Sequence, residues 1–215
     1  MKRLKGKRYL ISIFFILTVA LTCCTSSPTF DLYEGHLLRI AVIGERPEVK
    51  EEQVEFTEVS FDEIATEELK FYDAVFIRED KLSEASESLY TDIYLNSTIP
   101  FFFIGTDNFL PFTENELEYD KTSNWTAGTS YAVGILTSQE DDTFKKWEYG
   151  LYNDEKSDEH IEEMYSRIFT TIDELNQKIA KRSIMIMLLF AIIFVVEEII
   201  DIVVVFNTFI ESIYI

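Results

Sequence analysis

The sequence predicts an α/β fold: a small three-layer domain over residues 36–182, built on a mostly parallel sheet. Three observations carry this. After an opening strand, the pattern reads strand, helix, strand, helix, strand, which is the rhythm of a parallel sheet covered by helices. The strand-length apolar runs are nearly continuous and bounded by Gly or Pro, as in strands buried on both faces. A final amphipathic stretch keeps helical spacing from Ile161 to Ile179.

Each element has its own signal. "HLLRIAVIGE" (His36–Glu45) is an apolar run ended by Gly, consistent with a buried strand. "QVEFTEVSF" (Gln53–Phe61) alternates Val54, Phe56 and Val59 with Glu55, Thr57 and Glu58, the period of a half-exposed strand. Asp62 reads as the N-cap of a short helix, "EIATEELK", with acids in the first turn where the helix dipole favours them. "YDAVFIRED" is the third strand. Ser83 reads as the cap of "EASESLYTDIYLN", whose Ala85, Leu89 and Ile93, with Tyr90 and Tyr94, share a side. "IPFFFIGT" (Ile99–Thr106) is the fourth strand, its Pro100 at the start where a missing N–H does least harm. Further strands are expected at "SYAVGILTS" (Ser130–Ser138) and "FKKWEYGLY". "SDEHIEEMYSRIFTTIDELNQKIAKR" then repeats Ile161, Met164, Tyr165, Ile168, Ile172, Leu175 and Ile179 on one helical face, with Lys178, Lys181 and Arg182 in its last turns.

Composition bounds the partners. The chain has 39 acidic and 19 basic residues and a formal net charge of −20. Lys2, Arg3, Lys5, Lys7 and Arg8 all precede the first acid, Asp31, so the remainder is more negative still. A surface of that sign repels phosphate backbones, and no nucleic acid is expected as partner. Hydrophobic residues make up 47%, enough for a real core.

The first 24 residues read as an address. "MKRLKGKR" is a basic leader, and "YLISIFFILTVAL" (Tyr9–Leu21) is an apolar run of 13 residues, within the range of an export signal. At ~1.5 Å per residue it reaches ~20 Å, short of the ~30 Å hydrocarbon core. The two cysteines, Cys23 and Cys24, follow side by side. No cysteine remains beyond them, so disulfides, a zinc–thiolate site and a cysteine nucleophile are not expected in the domain.

Leu21-Thr22-Cys23-Cys24 resembles the lipobox of bacterial lipoproteins: Leu, two small residues, then the modified cysteine. The resemblance covers only this leader. It implies diacylglycerol on Cys24, removal of residues 1–23, and a membrane partnership through the lipid. An ordinary signal peptide cut near Ser26 or Ser27 is the alternative. Residues 24–35, "CTSSPTFDLYEG", then form a polar tether.

Chemical constellations are sparse. Ligands in parallel sheets bind beyond the carboxyl ends of strands, and Glu45, Asp80 and Asp107 fall there. They are placed to converge on a divalent cation, which would suit a metal-assisted hydrolase. Solvated loop carboxylates explain the same letters. His160 is expected to be solvated at a helix start, and His36 has no motif around it. The "GTDNFLPFTENE" loop (Gly105–Glu116) offers Phe109 and Phe112 either to the core or to a ligand. No nucleophile elbow, dinucleotide fingerprint or P-loop occurs. No cofactor, catalytic residue or metal ligand is therefore assigned.

Residues 183–215 change composition abruptly. From Ile184 the apolar residues run unbroken to Val196, and Glu197, Glu198 and Asp201 follow. A central acid costs ~3 kcal/mol of insertion while each Ile or Leu returns ~0.5 kcal/mol, which leaves the balance near zero. A helix in or on a membrane, a helix packed on a partner, and a non-native tail are all compatible with these letters. The address and the lack of catalytic groups point to a binding or accessory protein of the cell envelope, lipid-anchored at the extracytoplasmic face of the membrane. Its tail helix is a candidate contact for a membrane protein.

Overall fold

The computed structural model describes residues 29–65, 67–120, 125–138 and 143–213. Cys24 and the residues that resemble a lipobox lie outside them. Contacts divide the chain into residues 1–31 and the folded unit Leu32–Ile215.

The folded unit has six strands: β1 (Leu38–Ile43), β2 (Val54–Glu58), β3 (Ala74–Ile77), β4 (Phe101–Ile104), β5 (Ser130–Ser138) and β6 (Thr143–Gly150). They form one sheet in the order β2-β1-β3-β4-β5-β6. The first four run parallel, whereas β5 pairs antiparallel with β4 and β6 antiparallel with β5. Paired residues divide evenly between the two senses. The sheet is thus mixed, not mostly parallel as the sequence predicts. The cause is the link between β4 and β5. A parallel return needs a crossover, usually a helix, and the described part of 105–129 holds only the 3₁₀ turn Leu110–Phe112.

Helices cover both faces. Short helices α1 (Phe61–Ile64), α2 (Leu82–Ala85) and α3 (Ser88–Asn96) lie on one. There Phe61, Leu82, Tyr90 and Tyr94 bury against Ile43, Ile77, Phe101 and Phe103. The other face is closed by the first half of α4 (Asp158–Ile213), through Met164, Tyr165, Ile168, Phe169 and Ile172. Phe76 sits at the centre of that layer, with ring centroids 5.5 Å from Phe102, 5.8 Å from Tyr165 and 6.2 Å from Phe169.

Connections that cross a sheet in opposite directions keep one hand only by using opposite faces. The β2–β3 and β3–β4 links carry α1, α2 and α3 on the first face. The β1–β2 link, 44–53, passes on the other, where its Val49 packs. That link has no helix. The C-terminal α4 supplies the missing cover.

Local signals explain the boundaries. The cap of α1 is Ser60, not Asp62: its Oγ accepts from Glu63 N–H while the Glu63 carboxylate accepts from Ser60 N–H, a capping box. The helix predicted over 84–96 is two, broken at Ser86, whose Oγ donates to Ser83 O at 2.9 Å. Tyr90 and Tyr94 are buried but Leu89 is exposed. At the start of α4, Ser157 O accepts from Ile161 N–H at 3.0 Å and Ser157 Oγ from His160 N–H at 3.3 Å.

The direction of α4 matters most. Its first turns lie beside Arg78, at the carboxyl ends of the parallel strands. Further along, Asp173 meets His36 at 2.9 Å and Asn176 donates to Asp73 at 2.8 Å, both partners preceding strands. The helix therefore leaves the domain at the amino-terminal edge of the sheet. The folded unit is entered at that same edge, where Tyr33, within the expected tether, is buried against Phe169.

Candidate functional site

The carboxyl edge carries an open groove of about 720 Å³ between the β1–β2 link and the start of α4. It lies where β1 leads one way across the sheet and β3 continues the other, the position at which such sheets bind ligands. Two glycines shape it. Gly44 (φ 109°) ends β1 and Gly105 (φ 99°) follows β4, both in a region closed to most side chains. A Cβ at either would stand 2.7 Å from the Cβ of Arg78 or Glu79, respectively. The chain leaving β3 passes between these two bare turns, and Arg78 reaches the groove.

The guanidinium of Arg78 donates to Tyr165 Oη and lies 6.0 Å from the centre of the same ring. Burial pushes the Tyr165 phenol well above its ordinary value, against the opposing pull of Arg78. Lys50, on the opposite wall, donates to Glu162 at 2.6 Å, and that hydrogen bond raises its pKa. Lys156 sits 5.0 Å over the Tyr131 ring and 3.4 Å from Glu79. Burial alone would lower its pKa, but Tyr131 and Glu79 together carry it upward. Glu48, Asp158 and Glu159 complete the lining. The groove is thus bounded by two tyrosine rings, by Arg78 and Lys50, engaged by Tyr165 and Glu162, and by an acidic rim.

Behind it Glu51 is buried, its Oε1 accepting from the hydroxyl of Ser166. Oε2 has no hydrogen-bond partner among the described residues. Nothing in the letters around Glu51 singles out this carboxylate. "EVKEEQ" reads as three equivalent solvated acids, and only the docking of α4 singles one out.

The sequence-predicted residues fare unevenly. The three acids proposed for a cation do not gather: among the described residues no three His, Cys, Asp or Glu side chains form a metal-holding group. Asp80 lies against Gly44, and Glu45 and Asp107 are exposed. His160, expected to be solvated, is buried, its Nδ1 2.9 Å from Glu155 O and its ring 5.4 Å from Tyr152. His36 pairs with Asp173. The aromatics of the Gly105–Glu116 loop serve the fold: Phe112 stacks on Phe103 at 3.8 Å, and Phe109 packs 5.9 Å from Phe144.

The opposite, amino-terminal edge presents the other unusual surface. Large apolar side chains of α4 from Ile184 to Ile202 are 47–71% exposed. Among the described residues α4 is the one helix with a stretch long and apolar enough to cross a membrane, and none of that stretch is buried. No protein-family model, curated protein or solved structure matches this chain.

Proposed function

We propose that this chain is a binding or accessory lipoprotein of the bacterial cell envelope. It stands at the extracytoplasmic face of the cell membrane, held by a lipid on Cys24 and by the apolar half of α4. One observation carries the reading: α4 is a single helix whose first half closes the core and whose second half exposes nothing but apolar side chains from Ile184 to Val196. Each such residue gains about 1.5–3 kcal/mol on leaving water, which gives the segment a strong drive into an apolar phase. The core helix of a water-exposed protein would bury this face, and an export leader would lie at the other end of the chain. The lipobox resemblance of Leu21–Cys24 supports a second attachment. The apolar half of α4 leaves the folded unit at the amino-terminal edge, which turns the aromatic groove at the opposite edge toward the surroundings.

A specific feature favours a further reading, as subunit of a membrane complex. The run from Ile184 to Val196 reaches ~20 Å of a ~30 Å core. Glu197 and Asp201 follow one turn apart, and acids at such depth face a protein partner rather than lipid. Intact-mass analysis of the protein extracted from its own membrane tests the proposal. The expected mass lacks residues 1–23, carries diacylglycerol on Cys24 and includes the tail; an unmodified thiol at position 24 would refute the lipid attachment.

A further inference from the structure

The groove at the carboxyl edge carries opposite charges at separate places. Arg78, half-buried, stands beside the ring of Tyr165. Glu48 on the β1–β2 link and Asp158 and Glu159 at the start of α4 line the groove from exposed positions. A guanidinium offers five N–H donors in a rigid fork. The Tyr165 hydroxyl accepts from Nη1, which leaves the Nε–Nη2 side of that fork without a protein acceptor among the described residues. No carboxylate among them comes within ion-pair distance of Arg78 either. The neighbouring cations are committed, Lys50 to Glu162 at 2.6 Å and Lys156 to Glu79 at 3.4 Å. The undescribed 121–124 contain no acid. Ser138 and Thr143, which flank the acids of 139–142, pair at the opposite edge of the sheet. A half-buried charge whose partner is a neutral phenol would gain most from a carboxylate, held through two parallel hydrogen bonds.

Charge and spacing together decide the occupant. Arg78 and Lys50 line the groove against Glu48, Asp158, Glu159 and Glu162. A simple anion meets that acidic surplus, and a simple cation leaves Arg78 without a counter-charge. A molecule with a carboxylate at one end and an ammonium at the other satisfies both. Asp158 and Glu159 precede Tyr165, the partner of Arg78, by seven and six residues, ~10 Å along α4 at ~1.5 Å per residue. An extended chain spans ~3.3–3.6 Å per residue, so three residues bridge the arginine and the acids. A free amino acid, with its two charges on neighbouring atoms, does not. The groove volume of about 720 Å³ falls within the ~300–1,000 Å³ of small-molecule sites. We propose that the groove binds short peptides of about three residues. Their terminal carboxylate sits on the Nε–Nη2 side of Arg78, and their terminal ammonium lies among Glu48, Asp158 and Glu159. The proposal rests on the reading of this chain as a binding protein and adds a ligand class and a site to it.

Equilibrium dialysis of the full chain in mild detergent tests the site, with labelled trialanine, its carboxyl-terminal amide, its amino-terminal acetyl form and free alanine. Trialanine is expected to bind, and each blocking group to weaken it about tenfold, the loss of one charge-assisted contact. Free alanine should bind at least about tenfold more weakly than trialanine. In Arg78→Gln the acid and the amide should bind alike. In the double variant Asp158→Asn, Glu159→Gln the free and acetylated peptides should come within about twofold of each other. The peptide series reads the wild-type fold, so the comparison stands even where a variant folds poorly. Four results would overturn the proposal: no binding of trialanine, equal binding of its acid and amide by the wild type, a preference for the acid that survives Arg78→Gln in a chain of unchanged circular dichroism, or alanine binding as tightly as trialanine. Intact mass separates the two levels. A chain lipidated on Cys24 without a preference for the free carboxylate loses only the peptide site. A chain with that preference and an unmodified Cys24 keeps the site and loses the lipid attachment.

Discussion

Gly134 illustrates how individual residues set this core. It lies mid-strand in β5, where glycine is ordinarily a weakness, but a Cβ there would stand 2.5 Å from the Phe102 ring and 3.3 Å from Trp147. The glycine is the recess into which β4 and β6 place their aromatics, 6.3 Å apart. Gly134→Val should therefore cost about 1–3 kcal/mol, the range for overpacking a filled core, read as a lower denaturant midpoint at unchanged slope. No change in midpoint would mean that Phe102 moves aside freely. The sequence shows a glycine in an apolar strand but not what fills its space, because the filling rings come from residues 32 before and 13 after. Glu51 is hidden in the same way.

At the scale of elements, the strands were legible and their directions were not. β5 runs from Ser130 to Ser138 as its apolar run predicts, since continuous Val, Ile and Ala report burial on two faces. Burial carries no sign of parallel or antiparallel pairing, so the reversal of β5 and β6 is invisible in the letters. The candidate cation site failed for a related reason: spacing along a strand end is visible, convergence between loops is not. The amphipathic first half of α4 was plain from its period. Its continuation as one helix to Ile213 was not, because the composition changes at Ser183 without any breaking residue. Docking of α4 also buries phenols. Burial pushes Tyr149 up to about 12, and Tyr33, beside Asp173, and Tyr165 higher still. Folded-state values above the unfolded value of about 10 mean that the native state holds its protons longer. Their contribution to stability is complete below pH ~10 and is lost as pH climbs from there through the folded-state values. A spectrophotometric titration should show late phenolate absorbance appearing together with loss of the circular dichroism signal. Ionisation of every tyrosine near pH 10 with the fold intact would contradict the buried packing.

As a whole the molecule has two unlike edges. The carboxyl edge presents Arg78, Tyr131 and Tyr165 within an acidic rim; the amino edge sends out an apolar helix. The most direct measurement is flotation of the leaderless Cys24→Ser chain with lipid vesicles, with and without residues 183–215, so that only α4 can hold the membrane. The complete form should rise with the vesicles through a density gradient and the shortened form should stay at the bottom. Recovery of the complete form as a lipid-free monomer, or equal flotation of both, would contradict the account.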